Sequence, residues 1–200
     1  VQALEATSAG SVRFEATVGG AIPALSTIND FEAGHVTAVR GILNGTANFI
    51  LSRMAAEGLD YEHVLAEAQD LGVAEADPSF DVEGTDAALK CVILANMLQD
   101  GGYTLADADV SGIEGIPGSA LDLAAEDGRT VRLVGEVSDG EVRVGPRLVP
   151  EHGTLAVSGT MNIVQIETEH AGPLAISGHG AGGPETASAV LADVGRLPRW

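Results

Sequence analysis

Apolar positions in this chain recur with two spacings, and each spacing predicts a different kind of element. In residues 61–71 they return every three to four positions, with Val64, Leu65, Ala68 and Leu71 on one side, which predicts an amphipathic helix. Residues 85–98 carry Ala87, Ala88, Leu89, Val92, Ile93 and Leu94, a face broad enough for a well-buried helix. The run Asn44-Gly45-Thr46-Ala47-Asn48 reads as a turn entering a helix with Phe49, Ile50, Leu51 and Met54, which Gly58 closes. Pro23 sits near the start of a further helix through Ile28 and Phe31, ended by Gly34. Residues 1–9 read as the end of a helix begun upstream.

The second spacing is two. Residues 13–18 are strand-like until Gly19-Gly20 breaks them, and Val36, Val39 and Ile42 suggest another strand. Residues 131–137 and 141–149 read as strands joined by the hairpin connection Ser138-Asp139-Gly140. Residues 155–158, 162–168 and 174–177 extend this pattern. Residues 105–116 are turn-rich, with a short element before Pro117. A glycine loop over residues 178–183 precedes Pro184 and a closing helix over residues 185–194. The order is mixed helix and strand, then mostly strand, then one helix. The predicted class is α/β (α+β), a mixed β-sheet with helices packed on it.

Composition narrows the function. In 200 residues, 10 Lys+Arg stand against 29 Asp+Glu, a formal net charge of −19. Such a field repels phosphates, so nucleic acid and anionic membrane surfaces are poor partners. No uncharged apolar run approaches the roughly 20 residues of a membrane-spanning helix, and no signal peptide is legible. One cysteine, Cys91, cannot form an internal disulfide, so a cytoplasmic setting is expected. Nine of the cations are Arg and Lys90 is the only lysine, an imbalance that fits a halophilic protein adapted to salt screening.

Candidate chemistry gathers around that lysine. Glu75, Asp77, Asp81, Glu83 and Asp86 place five carboxylates within twelve positions, before or at the start of the helix over residues 85–98. Capping and solvated acidic surface explain part of this cluster. Asp86 and Lys90, however, are four apart on one helix face and can pair, and Lys90 borders the apolar run Cys91-Val92-Ile93-Leu94-Ala95. A lysine held among carboxylates can orient a substrate or exchange a proton. Glu75 and Asp81 suit a cationic group such as an ammonium. A divalent metal would need ligands that no histidine supplies at the usual spacing. Two glycine-rich turns, Gly41 to Thr46 and Gly178 to Gly182, let backbone approach a ligand or a helix end, with Asn44 and Thr46 able to cap or bind. Neither is the opening turn of a dinucleotide-binding βαβ unit. Within the second loop His179 is the histidine best placed to touch a ligand, whereas His35, His63, His152 and His170 read as surface residues and Cys91 as packing.

Four segments in order resemble the homoserine dehydrogenase family: FEATVGGAIP from Phe14, GILNGTANFILS from Gly41, AQDLGVAEADPSFDVEGTDAALK from Ala68, and GHGAGGPETASAVLADV from Gly178. The resemblance implies the substrate-binding, catalytic and dimerisation domain over residues 1–177. It further implies that the glycine loop and helix of residues 178–200 pack against a preceding nucleotide-binding domain that this chain does not include. It implies interconversion of L-homoserine and L-aspartate 4-semialdehyde with NAD or NADP, in threonine and methionine biosynthesis, by a homodimer. By the same resemblance Lys90 and Asp86 are catalytic, Glu75 and Asp81 meet the amino end of the substrate, and Gly41, Asn44, Gly45 and Thr46 line its site. Gly178, Gly180, Ala181 and Gly182 lie on the cofactor side, and a monovalent cation sits near Glu15, Val18 and Gly20. The chain alone is expected to be inactive. The competing reading is a catalytically silent ligand-binding or dimerisation module of the same architecture.

Overall fold

The structure, a computed structural model, describes residues 12–31, 35–99 and 101–197. Among these the strands are β1 (Val36–Ile42), β2 (Ala108–Val110), β3 (Arg129–Ser138), β4 (Glu141–Pro150), β5 (Met161–Thr168) and β6 (Gly172–His179). The helices are α1 (Ala24–Asp30), α2 (Gly45–Glu57), α3 (Tyr61–Asp70), α4 (Ser79–Val82), α5 (Thr85–Leu98), α6 (Gly118–Glu126) and α7 (Gly183–Gly195). The strands form one sheet in the order β2-β4-β3-β1-β5-β6, parallel at β2–β4 and antiparallel elsewhere. The mixed sheet with packed helices is the expected class.

Alternation along the strands assigns the two faces. Val39, Leu133, Val137, Val164 and Ile166 point to the helical side, where they join Ile50, Leu51 and Met54 of α2 and Leu94 of α5 in the main core. On the other side Ile42, Val134, Val149 and Ile163 form a smaller cluster under Leu155, Ala156 and Val157. Arg40 bridges Glu136 and Glu167 there, tying β1 to both of its neighbours across the strands. Asp139 and Gly140, both at positive φ, make the tight β3–β4 turn.

Several expectations change. Residues 13–18 are not a strand but lead into a 3-10 turn, Glu15–Thr17, because their polar groups are claimed by helix ends instead of a ladder. The Glu15 carboxylate accepts from the N–H groups of Leu25 (2.8 Å) and Ser26 (3.0 Å) at the start of α1, while its own N–H donates to Asp193 of α7 (2.8 Å). Residues 155–158 are a covering segment outside the sheet. Helix α6 was not expected: its buried contribution is only Leu121 and Ala124, too sparse a stripe to read, although Pro117 before it was an available start signal. Leu71 and Leu89, assigned to buried faces by periodicity, are exposed. The helix expected over residues 1–9 and the stop at Gly34 lie outside the described residues. No helix among the described residues is long and apolar enough to cross a membrane.

Candidate active site

β1 ends at Ile42, and the chain turns through Leu43 and Asn44 directly into α2. Asn44 is extended and its Oδ1 accepts the Ala47 N–H at 2.8 Å, an N-cap. That fixes the side chain so that its Nδ2 faces away from the helix, donating to Asp81 Oδ1 at 2.6 Å and Asp86 Oδ2 at 2.8 Å. Asp81 comes from the short helix α4 and Asp86 from the first turn of α5. One turn on, Lys90 Nζ donates to the same Asp86 Oδ2 at 2.6 Å and to the Leu43 carbonyl at 2.7 Å. The lysine and Asp86 side chains are about a fifth exposed, at 19% and 21%.

Two carboxylates, one amide and one ammonium thus form a connected network at the end of a strand and the starts of two helices, and it retains one excess negative charge. Asp81 Oδ2 and Asp86 Oδ1 meet no donor among the described residues. Charge-assisted bonds of this kind hold their groups more firmly than neutral ones. Next to the lysine in sequence, the Cys91 sulfur packs against Gly135, and this burial pushes its thiol up to about 12, which disfavours the thiolate.

The other predicted residues are distributed around the network. Thr46 donates to the Val73 carbonyl at 3.0 Å, tethering the acidic loop. Glu75, two residues further along that loop, is exposed and outside the hydrogen-bonded network. Gly41 backs onto the Ile163 carbonyl and Gly45 onto the Thr160 carbonyl, approaches that a Cβ would crowd at 2.6 and 3.0 Å. Ile42 pairs with Ile163 and Asn162 with Gly178, so the end of β1, the start of β5 and the end of β6 share one end of the sheet. Gly178 and His179 complete β6, while Ala181 and Gly182 are exposed ahead of α7. Gly20 lies so close to the Gly180 carbonyl that any Cβ would overlap it, and the Ala21 N–H donates to the His179 carbonyl at 3.2 Å. Among the described residues no group of three or more His, Cys, Asp or Glu could hold a metal ion. Glu15 is 4% exposed, and Arg196 Nη1 approaches its Oε2 at 3.3 Å.

Sequence reasoning anticipated Lys90 and Asp86 as a pair. Asn44 was expected to cap or to line the site; its bridging of two carboxylates 37 and 42 positions away was not.

Comparison with known proteins fits this geometry. The homoserine dehydrogenase family model matches residues 23–194. The homoserine dehydrogenase of Methanocaldococcus jannaschii is 47% identical over 183 residues, which cover 91% of this chain and 54% of that protein. A homoserine dehydrogenase structure from Thiobacillus denitrificans superposes with a TM-score of 0.88 at 40% identity, covering 92% of this chain and 44% of that one. A hyperthermophilic archaeal homoserine dehydrogenase in complex with NADPH superposes at 0.84 with 30% identity, covering 98% of this chain and 58% of that one. The chain spans about half the length of these relatives. By sequence over nearly its whole length, and by the same fold, it belongs to the homoserine dehydrogenase family.

Proposed function

We propose that this chain is the substrate-binding and catalytic portion of an NAD- or NADP-dependent oxidoreductase that interconverts L-homoserine and L-aspartate 4-semialdehyde. The observation that carries the reading is the Asn44–Asp81–Asp86–Lys90 network. Its excess negative charge and the unused oxygens of Asp81 and Asp86 suit the ammonium of a small amino acid, with Glu75 closing from the loop that Thr46 tethers. Lys90 is the group for the other end. In the reducing direction its ammonium gives a proton to the oxygen that develops negative charge at the carbonyl, while Asp86 and the Leu43 carbonyl hold Nζ in place. In the oxidising direction the neutral amine accepts the hydroxyl proton. A nicotinamide, when bound, supplies the hydride chemistry.

The cofactor side fits Gly178 and Gly180 at the end of β6 and the exposed Ala181 and Gly182 after them, with residues 178–200 packing through α7 against a preceding nucleotide-binding domain. Apolar side chains support that partner: Val190, Leu191 and Val194 recur along α7, Leu197 follows just beyond it, and all stay exposed, Leu191 at 69% and Val194 at 58%. A monovalent cation at the Glu15 to Gly20 turn would rely on the Val18 and Gly20 carbonyls, which accept no hydrogen bond among the described residues. The Glu15 carboxylate is already committed to α1 and Arg196. A homodimer in the cytoplasm remains the expected assembly, with the helix-free face of the sheet as the surface available to it.

The test is Lys90→Met in the enzyme that joins this chain to a nucleotide-binding domain. We expect kcat to fall by about 10²–10⁴-fold with the thermal midpoint nearly unchanged. Near-normal turnover would remove Lys90 from the reaction.

A further inference from the structure

Asn162 lies on β5 opposite Gly178, is 1% exposed, and its Oδ1 has no hydrogen-bond partner among the described residues. Leaving a buried acceptor unmade is costly, so such an atom in a packed site calls for a donor. The neighbour is specific. The carboxamide lies directly against Gly180, where any Cβ would overlap it, and both the oxygen and the nitrogen face that glycine. Exchanging the two by an amide flip therefore still turns an acceptor toward the loop. The Gly180 carbonyl also lies close against Gly20, so Gly180 is in tight contact with both the turn at residues 19–21 and Asn162. Beyond it the N–H groups of Ala181 and Gly182 donate to no acceptor among the described residues.

We propose that Asn162 is a positioning residue for the glycine loop. Its free acceptor receives a backbone N–H from Ala181 or Gly182 when the loop settles onto a bound nicotinamide nucleotide, and this fixes the cofactor-side wall of the site. Asn162 touches neither the substrate nor the Lys90 network. The inference rests on the functional reading above, since it needs a nicotinamide nucleotide at that loop.

The experiment uses the longer enzyme, with NADPH and NADH as probes, and compares wild type with Asn162→Leu and Asn162→Asp. Binding is read by nucleotide fluorescence and loop closure by amide hydrogen exchange at Ala181 and Gly182. Asn162→Leu is expected to weaken nucleotide binding about tenfold and to abolish the nucleotide-induced protection of those amides, with KM for homoserine unchanged. Asn162→Asp keeps an acceptor at the same place and is expected to stay within about threefold of wild type. Equal affinities and equal protection in wild type and Asn162→Leu would overturn the inference. So would an Asn162→Asp protein that binds as weakly as Asn162→Leu, or a loss of nucleotide affinity, homoserine KM and thermal midpoint together. A wild type that binds neither nucleotide would instead overturn the functional reading, and this inference with it.

Discussion

Asn44 does three things with one side chain: it caps α2, holds Asp81 and holds Asp86. Asn44→Leu removes all three and is expected to cost about 1–3 kcal/mol in denaturant unfolding, besides impairing activity. An unchanged unfolding midpoint would show that the two carboxylates hold their places without it. Asp81→Asn keeps the shape but removes a charge from the side proposed to meet the ammonium, so on that proposal KM for homoserine should rise about tenfold with kcat little affected. Cys91, next to Lys90 in sequence and buried in the core, behaves differently. With its thiol raised to about 12, Cys91 should resist alkylation at pH 8 in the folded chain and react at once in denaturant. Rapid alkylation of the native protein would contradict the buried packing. The Lys90–Asp86 pair was legible because i,i+4 spacing on a helix is a local rule. The bridge through Asn44 was not, because it depends on where three separate elements meet.

At the scale of elements, the strongly periodic segments formed as read. The helices α2, α3 and α5 follow their apolar spacing, and β3 and β4 close on the Asp139-Gly140 turn. Segments whose polar groups are claimed at long range did not. Residues 13–18 have strand-like composition, yet Glu15 spends its carboxylate on α1 and its N–H on Asp193, 178 positions away. Glu15 thereby joins α1, the turn at residues 15–17 and α7, with Arg196 as a further tie. Glu15→Gln sets an amide NH₂ against a backbone N–H and should destabilise the fold by about 1–3 kcal/mol. The loss should be accompanied by faster hydrogen exchange in α7 than in α5. Uniform acceleration across both helices would mean that the clamp is not local.

Viewed as a whole molecule, one end of the sheet gathers the Lys90 network, the α2 turn and the glycine loop, while α7 turns an apolar stripe outward. If a nucleotide-binding domain covers that stripe, Leu191→Asp in the longer enzyme should weaken nucleotide affinity while leaving the Lys90 site folded. The charge imbalance belongs to this scale as well. With a formal charge of −19, screening should raise the melting temperature markedly between low and molar KCl, and a flat response would reduce the acidity to a matter of solubility. The family was legible in four ordered motifs, of which the second and third meet in the Asn44–Asp81–Asp86–Lys90 network and the first and fourth meet at Gly20 and Gly180. The covering segment at residues 155–157 and helix α6 were not, because their roles are set by the sheet they pack on. The most direct measurement is nicotinamide-dependent oxidation of L-homoserine, run on this chain and on the enzyme that joins it to a nucleotide-binding domain. Activity is expected in the longer form and not in this chain alone. Absence of activity in both, with folding verified, would contradict the assignment and leave a binding or dimerisation module.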